Sequence, residues 1–259
     1  MPLGTKKINY DREGIMKIKF VMLTLFLFFI PKYSYCQYNG NIKRIQIGFD
    51  FGYAIQNLSG VNRFVDSWDD LYNTSMKPIN GGLQYSFYTN YKFFDSPFFT
   101  VGAELTYSDN STEDNSIESY FNQDIDITTK VQLQTVSTFL NIFYGYTLFE
   151  RIDVSLKGGV GYYHSNFIRQ LESRDIKSLN AKVNNTGNAF GFHIGINVSY
   201  KIIEILILNS DIIYNSAVIN KIKDNDGSDL RLIDRKEGSR KLDVDLSGFQ
   251  FQIGIGINI

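Results

Sequence analysis

Five titratable residues of this chain, Asp50, Glu104, Lys157, His193 and Asp211, each stand at a polar place in a segment whose other positions are apolar. Facing one enclosed space, such a set could do either of two things. Carboxylates, an ammonium and an imidazole in sequence could relay protons or ions. Alternatively, the same groups would hold a crowded polar interior together, because buried charges persist only when paired and hydrogen-bonded. The second reading is the expectation: a structural salt-bridge and hydrogen-bond plug, with Arg44, Gln84 and Gln252 assisting.

Other constellations promise less chemistry. His164-Ser165 suggests a hydrolase pair and hence a lipid-modifying enzyme, but adjacent residues on a strand face opposite sides, out of each other's hydrogen-bond reach. Asp224-Asn225-Asp226-Gly227-Ser228-Asp229 resembles a calcium loop, yet its Gly comes fourth and the distal Glu is missing, so it reads as a polar turn. The whole chain of 259 residues has two His and one Cys, which excludes an internal disulfide framework and a Cys-rich zinc site; no cofactor is expected. With 26 basic and 27 acidic side chains it has no basic footprint for nucleic acid.

The N-terminal part reads as an export signal. Met16-Lys17-Ile18-Lys19 precedes an apolar run of 11 residues, Phe20–Ile30, too short to span a bilayer as a helix, and then Pro31 to Gln37. Ser34 and Cys36 suit signal peptidase, which places cleavage before Gln37 and the true start at Met16. Cys36 also admits lipidation, although Tyr33-Ser34-Tyr35 is a poor lipobox. Residues 1–36 are thus expected to be leader and 37–259 one domain of 223 residues with net charge −5.

The elements that must position the five residues are β-strands. Apolar residues alternate with polar or small ones from Ile45 to Ile55, Leu83 to Tyr91, Phe99 to Tyr107, Val131 to Tyr146, Val154 to Tyr162, Phe190 to Tyr200, Leu206 to Tyr214 and Phe249 to Ile259. The fourth segment carries Val131 and Leu133 in one phase and Val136, Leu140 and Ile142 in the other, which predicts a bulge near Thr135. No helical period is read outside the leader. Short links near 92–96, 148–152 and 201–204 alternate with polar links near 56–80, 108–130, 165–187 and 217–242. In an up-and-down meander all long links then gather at one end, as in transmembrane barrels. Counted from the other end, Asp50, Glu104, Asp211 and His193 share a similar height, with Lys157 slightly lower. In the first long link Phe64, Val65, Trp68, Leu71 and Tyr72 are expected to pack over the barrel mouth.

Alternation leaves two all-β architectures open, an eight-stranded antiparallel transmembrane barrel with its apolar face outward and a secreted lipocalin-like barrel with an apolar ligand inside. Strand length, Tyr and Phe near strand ends on the apolar face, a polar opposite face and a chain ending on a strand favour the first. An eight-stranded barrel is just wide enough for its side chains to fill, so no diffusive pore is expected.

The last strand, Gln252-Ile253-Gly254-Ile255-Gly256-Ile257-Asn258-Ile259, resembles the terminal motif of outer-membrane barrels, with Ile259 where Phe or Trp is usual. In layout residues 37–259 resemble the small outer-membrane β-barrels of Gram-negative bacteria, the group of PorT-like, OmpA-type and OmpX-type proteins. That resemblance implies an outer-membrane location among outer-membrane lipids, and insertion by the barrel-assembly machinery through Gln252, Gly254, Ile257 and Ile259. With so few Cys and His and no usable nucleophile pair, the chain is expected to be a monomer without enzymatic activity, acting structurally or on an extracellular partner through long loops; the PorT-like resemblance implies, more narrowly, an accessory part in secretion.

Overall fold

The computed structural model describes residues 44–259 apart from 73, 96, 121–122, 174, 224–225 and 235–237. Residues 1–36, expected to be leader, with Met16 and Cys36 among them, lie outside the described residues. Eight strands form the barrel: β1 (Ile45–Gln56), β2 (Gly81–Asp95), β3 (Phe98–Tyr120), β4 (Gln123–Thr147), β5 (Ile152–Ser173), β6 (Ala181–Lys201), β7 (Leu206–Ile219) and, last in the chain, β11 (Gly248–Asn258). Between β7 and β11 lie the hairpin β8 (Arg231–Asp234) and β9 (Gly238–Lys241) and the two-residue β10 (Val244–Asp245), which pairs with β7. Each barrel strand is antiparallel to both its neighbours, and β11 closes the ring between β7 and β1. Closure leaves no edge along the shared height of the ring, so ladder groups there are paired within the protein.

Alternation sets which side chains face in. On β1 Phe49, Phe51, Tyr53 and Ile55 point out, while Asp50 and Ala54 are buried. Ile253, Ile255 and Ile257 of β11 and Ile194 and Ile196 of β6 continue the outer surface. Aromatic residues gather at two levels of it. Tyr162–Phe190 and Tyr214–Phe249 contact each other toward the long links, with centroids 5.2 and 5.3 Å apart. Tyr91–Phe93 and Tyr144–Tyr146 do so toward the short turns, at 4.9 and 6.0 Å.

Three sequence expectations change here. First, residues 108–130 and 165–187 are mostly strand: β3, β4, β5 and β6 run to 23, 25, 22 and 21 residues, far beyond β1 with 12. No Gly or Pro interrupts 108–130, and polar pairs such as Thr128 to Asn115 (2.7 Å) join the extended strands, so nothing breaks the ladder. Second, there is no bulge at Thr135: the β3–β4 register runs unshifted from Phe98↔Gly145 to Tyr120↔Gln123, and the irregularity falls in β2 between Lys92 and Phe94. Val131 and Leu133 point inward in the same phase as Asn141 and are fully buried, whereas Leu140 is 66% exposed. What switches along β4 is the polarity of the interior, and the backbone keeps its phase. Third, Ser59–Tyr72 is an α-helix, α1. Val61, Phe64, Val65 and Trp68 stand at i, i+3, i+4 and i+7, the spacing of one helical face.

That face explains the polarity switch. Val61, Phe64 and Val65 pack with Val131, Leu133 and Phe167 in the hydrophobic cluster at the long-link end, and Trp68 lies against it. Phe64 meets Phe167 edge-on at 5.0 Å. Burying such a ring contributes about 1.5–3 kcal/mol. Polar clasps fix the helix in place. Asn62 donates to the Ile79 carbonyl (3.1 Å) and accepts from the Ile79 N–H (2.7 Å), and the Asp69 carboxylate accepts from the Met76 N–H (3.1 Å). Gly60 lets the helix touch the last link, since a Cβ there would stand 2.0 Å from the Asp243 carbonyl oxygen.

Candidate functional site: a charge cluster inside the barrel

Glu104, Lys157 and Asp211 reach the interior from β3, β5 and β7, three strands that are not neighbours in the ring, so only closure brings them together. The Lys157 ammonium lies 2.8 Å from Glu104 Oε2 and 2.8 Å from Asp211 Oδ2, with its side chain 3% exposed. An ammonium has three protons to place, and two go to carboxylates. The Phe143 ring, 5.6 Å away, covers one side of it.

Neutral donors complete the carboxylates, one sharing Glu104 Oε2 with Lys157 and two taking the remaining oxygens. Asn141 donates to Glu104 Oε2 (2.8 Å), Thr106 to Glu104 Oε1 (3.2 Å) and Asn197 to Asp211 Oδ1 (2.5 Å). His193 shares its Nε2 with Asn141 Oδ1 at 2.9 Å and stacks on Phe139, centroids 4.4 Å apart. From Thr106 the network runs through the Ser86 hydroxyl (2.9 Å) to the Gln252 amide, which donates to Ser86 at 2.8 Å. Toward the short turns Tyr88 accepts from Gln46 (3.4 Å) and from Asn209, linking β1, β2 and β7. Hydrogen-bonded chains of this kind are rigid when every member is satisfied and costly when one is lost.

Asp50 is placed differently from the other four. It is buried, it stands opposite Ser86 of β2 and Gly254 of β11, and its Oδ1 has no hydrogen-bond partner. Gln84, expected to assist, is buried with its Oε1 likewise unpartnered. Arg44 does not join the cluster: it precedes β1 at the short-turn end, where its guanidinium lies 3.5 Å from the Tyr91 hydroxyl. In the terminal motif Gln252 and Gly254 face inward, and Gly254 leaves the space in which the Asp50 carboxylate sits. Ile257 faces outward, and the Ile259 N–H donates to the Ile45 carbonyl (2.8 Å) just beyond the end of β11.

The remaining candidates separate. His164 points outward to Asn188 (2.6 Å) while Ser165 is buried beside Thr135 (2.7 Å), so the pair occupies opposite faces of β5. Asp226 caps its own turn by accepting from the Ser228 N–H (2.9 Å), and Gly227 takes φ 82°. Among the described residues no group of three His, Cys, Asp or Glu side chains is placed to hold a metal. What sequence reading missed is the partnership of Asn141, Asn197 and Thr106 with the charges. These residues alternate on the polar face like dozens of others, and nothing short of the closed ring singles them out.

No family model matches the chain, and no curated protein matches it. Solved structures similar to it include the outer membrane protein OprG from Pseudomonas aeruginosa, at 14% identity over 84% of this chain and 98% of that one, TM-score 0.42. Neisserial surface protein A matches at 12% identity over 85% and 100%, TM-score 0.37. The outer membrane protease OmpT from Escherichia coli matches at 9% identity over 87% and 100%, TM-score 0.38. Resemblance at this level assigns neither activity nor partner to the chain.

Proposed function

We propose that the protein is an outer-membrane β-barrel of Gram-negative type, monomeric and without enzymatic activity. Its lumen is closed by a structural plug, and it works through the surface that its projecting strands and capping links present to an extracellular partner. The observation that carries this reading is the inversion of polarity. A closed ring turns Phe, Tyr, Ile and Leu outward and encloses Lys157 between two carboxylates. β1 alone, at about 3.3 Å per residue and a tilt near 40°, reaches across roughly 28 Å, the height of a bilayer's apolar band. An accessory role in secretion, which the likeness to PorT-like barrels implies, is the narrower form of the same reading.

A secreted barrel with an apolar ligand finds support in one observation, the apolar interior of the long-link half. That space is already filled, by Phe64 and Val65 of α1 against Leu133 and Phe167. Fractionation decides between the readings. The protein is expected with the outer membrane, to need detergent, and to run faster on a gel unheated than boiled. Free solubility, or co-purification of a small apolar ligand, would reject the proposal.

A further inference from the structure

One carboxylate of the cluster has an oxygen that no hydrogen-bond donor meets. One ammonium, Lys157, is enclosed with three carboxylates, and it bonds to two of them, Glu104 and Asp211. The third, Asp50, has its Oδ1 without a partner, and two more acceptors on the flanking strands, Gln84 Oε1 and Gln252 Oε1, are equally unpartnered; all three side chains belong to residues at least 95% buried. An orphaned buried acceptor costs about 1–3 kcal/mol, more when charged, so each of these oxygens calls for a partner.

The register brings them to one patch of wall. Gln84 and Gln252 are the partners of Gly52 on its two flanking strands, and Asp50 is the next inward residue of β1. Neighbouring strands lie about 4.8 Å apart, within reach of side chains of this length. Gln252 in fact crosses β1 to donate its Nε2 to Ser86 Oγ (2.8 Å), opposite Asp50, which leaves its Oε1 as the free end. Gly52 and Gly254 beside Asp50 bring no side chain into the patch. Every unpartnered atom here is an oxygen acceptor.

We propose that Asp50, with the Gln84 and Gln252 amide oxygens, holds a hard inorganic cation of the sodium or calcium class on the β11–β1–β2 wall of the barrel. Oxygen-only ligation by a carboxylate and carbonyl groups is the chemistry such ions select. The cation satisfies buried oxygens that have no hydrogen-bond partner within the protein.

The test is thermal unfolding of the full-length protein, purified in detergent, in sodium chloride, calcium chloride or choline chloride at equal ionic strength and constant pH. A ligand bound only to the folded state raises the midpoint in a saturable way. The expected result is a higher midpoint in sodium or calcium than in choline, lost in Asp50→Asn, with the half-saturating concentration about tenfold higher in Gln84→Leu, roughly 1.4 kcal/mol of binding. The salt that stabilises names the class. Should Asp50→Asn fail to fold, Gln84→Leu decides alone. Equal midpoints in all three salts would mean that water or a proton satisfies these oxygens and would overturn the proposal, as would a salt effect unchanged in the variants.

Discussion

Lys157 is the residue on which the interior turns. Replacing it with Met keeps its length but leaves Glu104 and Asp211 as buried charges without their cation, and breaking a buried pair in this way costs about 3–5 kcal/mol. Urea unfolding of Lys157→Met in detergent or lipid is expected to show that loss. The triple variant Lys157→Met, Glu104→Gln, Asp211→Asn is expected to recover most of it, since neither carboxylate is then left without its cation; a triple variant as weak as the single would contradict a structural plug. Gly254 carries a second prediction. A methyl group there would stand 2.0 Å from Asp50 Oδ1 and 2.2 Å from the Phe49 carbonyl, so Gly254→Ala is expected to lower stability by about 1–3 kcal/mol through overpacking. The loss should appear on refolding into pure detergent micelles. Normal refolding there, with failure only in cells, would mark Gly254 as a recognition signal and not a packing residue.

At the scale of elements, α1 turns the first long link into a plug for the upper barrel. Its apolar face is readable at Val61, Phe64, Val65 and Trp68, yet a single four-turn helix between polar segments is easily taken for loop, as the sequence reading took it. The inward apolar phase of β4 is the matching half of the evidence: Val131 and Leu133 have no reason to face a polar lumen unless something apolar fills it. Phe64→Ala removes the ring that meets Phe167 and is expected to cost about 3–5 kcal/mol. Because the loss falls on the contact between helix and barrel, limited proteolysis is expected to cut within residues 59–72 well before the barrel strands. Cleavage and global unfolding at the same denaturant concentration would instead show helix and barrel to be one cooperative unit.

For the whole molecule, the outward face is the decisive surface. Leu140 is 66% and Ile253 54% exposed, Ile253 midway along β11 and Leu140 seven residues from the short-turn end of β4. In a bilayer an Arg at either position is expected to cost about 2–4 kcal/mol, against little effect for a surface residue of a soluble barrel. Folding of Leu140→Arg into lipid vesicles, followed by urea titration, measures this, and an unchanged midpoint would remove the lipid-facing assignment. The filled interior predicts that the purified protein shows no stable, large conductance in a planar bilayer; a steady open current would sink the plug.

Period two in eight segments and the alternation of short and long links were enough for the antiparallel meander, its order of strands and the identity of its two faces, because those depend on local alternation that each strand carries by itself. The five titratable residues could be named and given similar heights for the same reason. Which of them bond was decided only by closure. Glu104, Lys157 and Asp211 lie on non-adjacent strands and meet across the lumen, while Asp50, of the same type and height, stands opposite Gly254 and Ser86 with its Oδ1 unpartnered. The reach of β3 to β6 beyond the ring and the descent of α1 into the mouth were likewise tertiary outcomes. A polar segment without turn residues takes the structure its neighbours offer, and an amphipathic helix is stable only where a second apolar surface exists to bury its face.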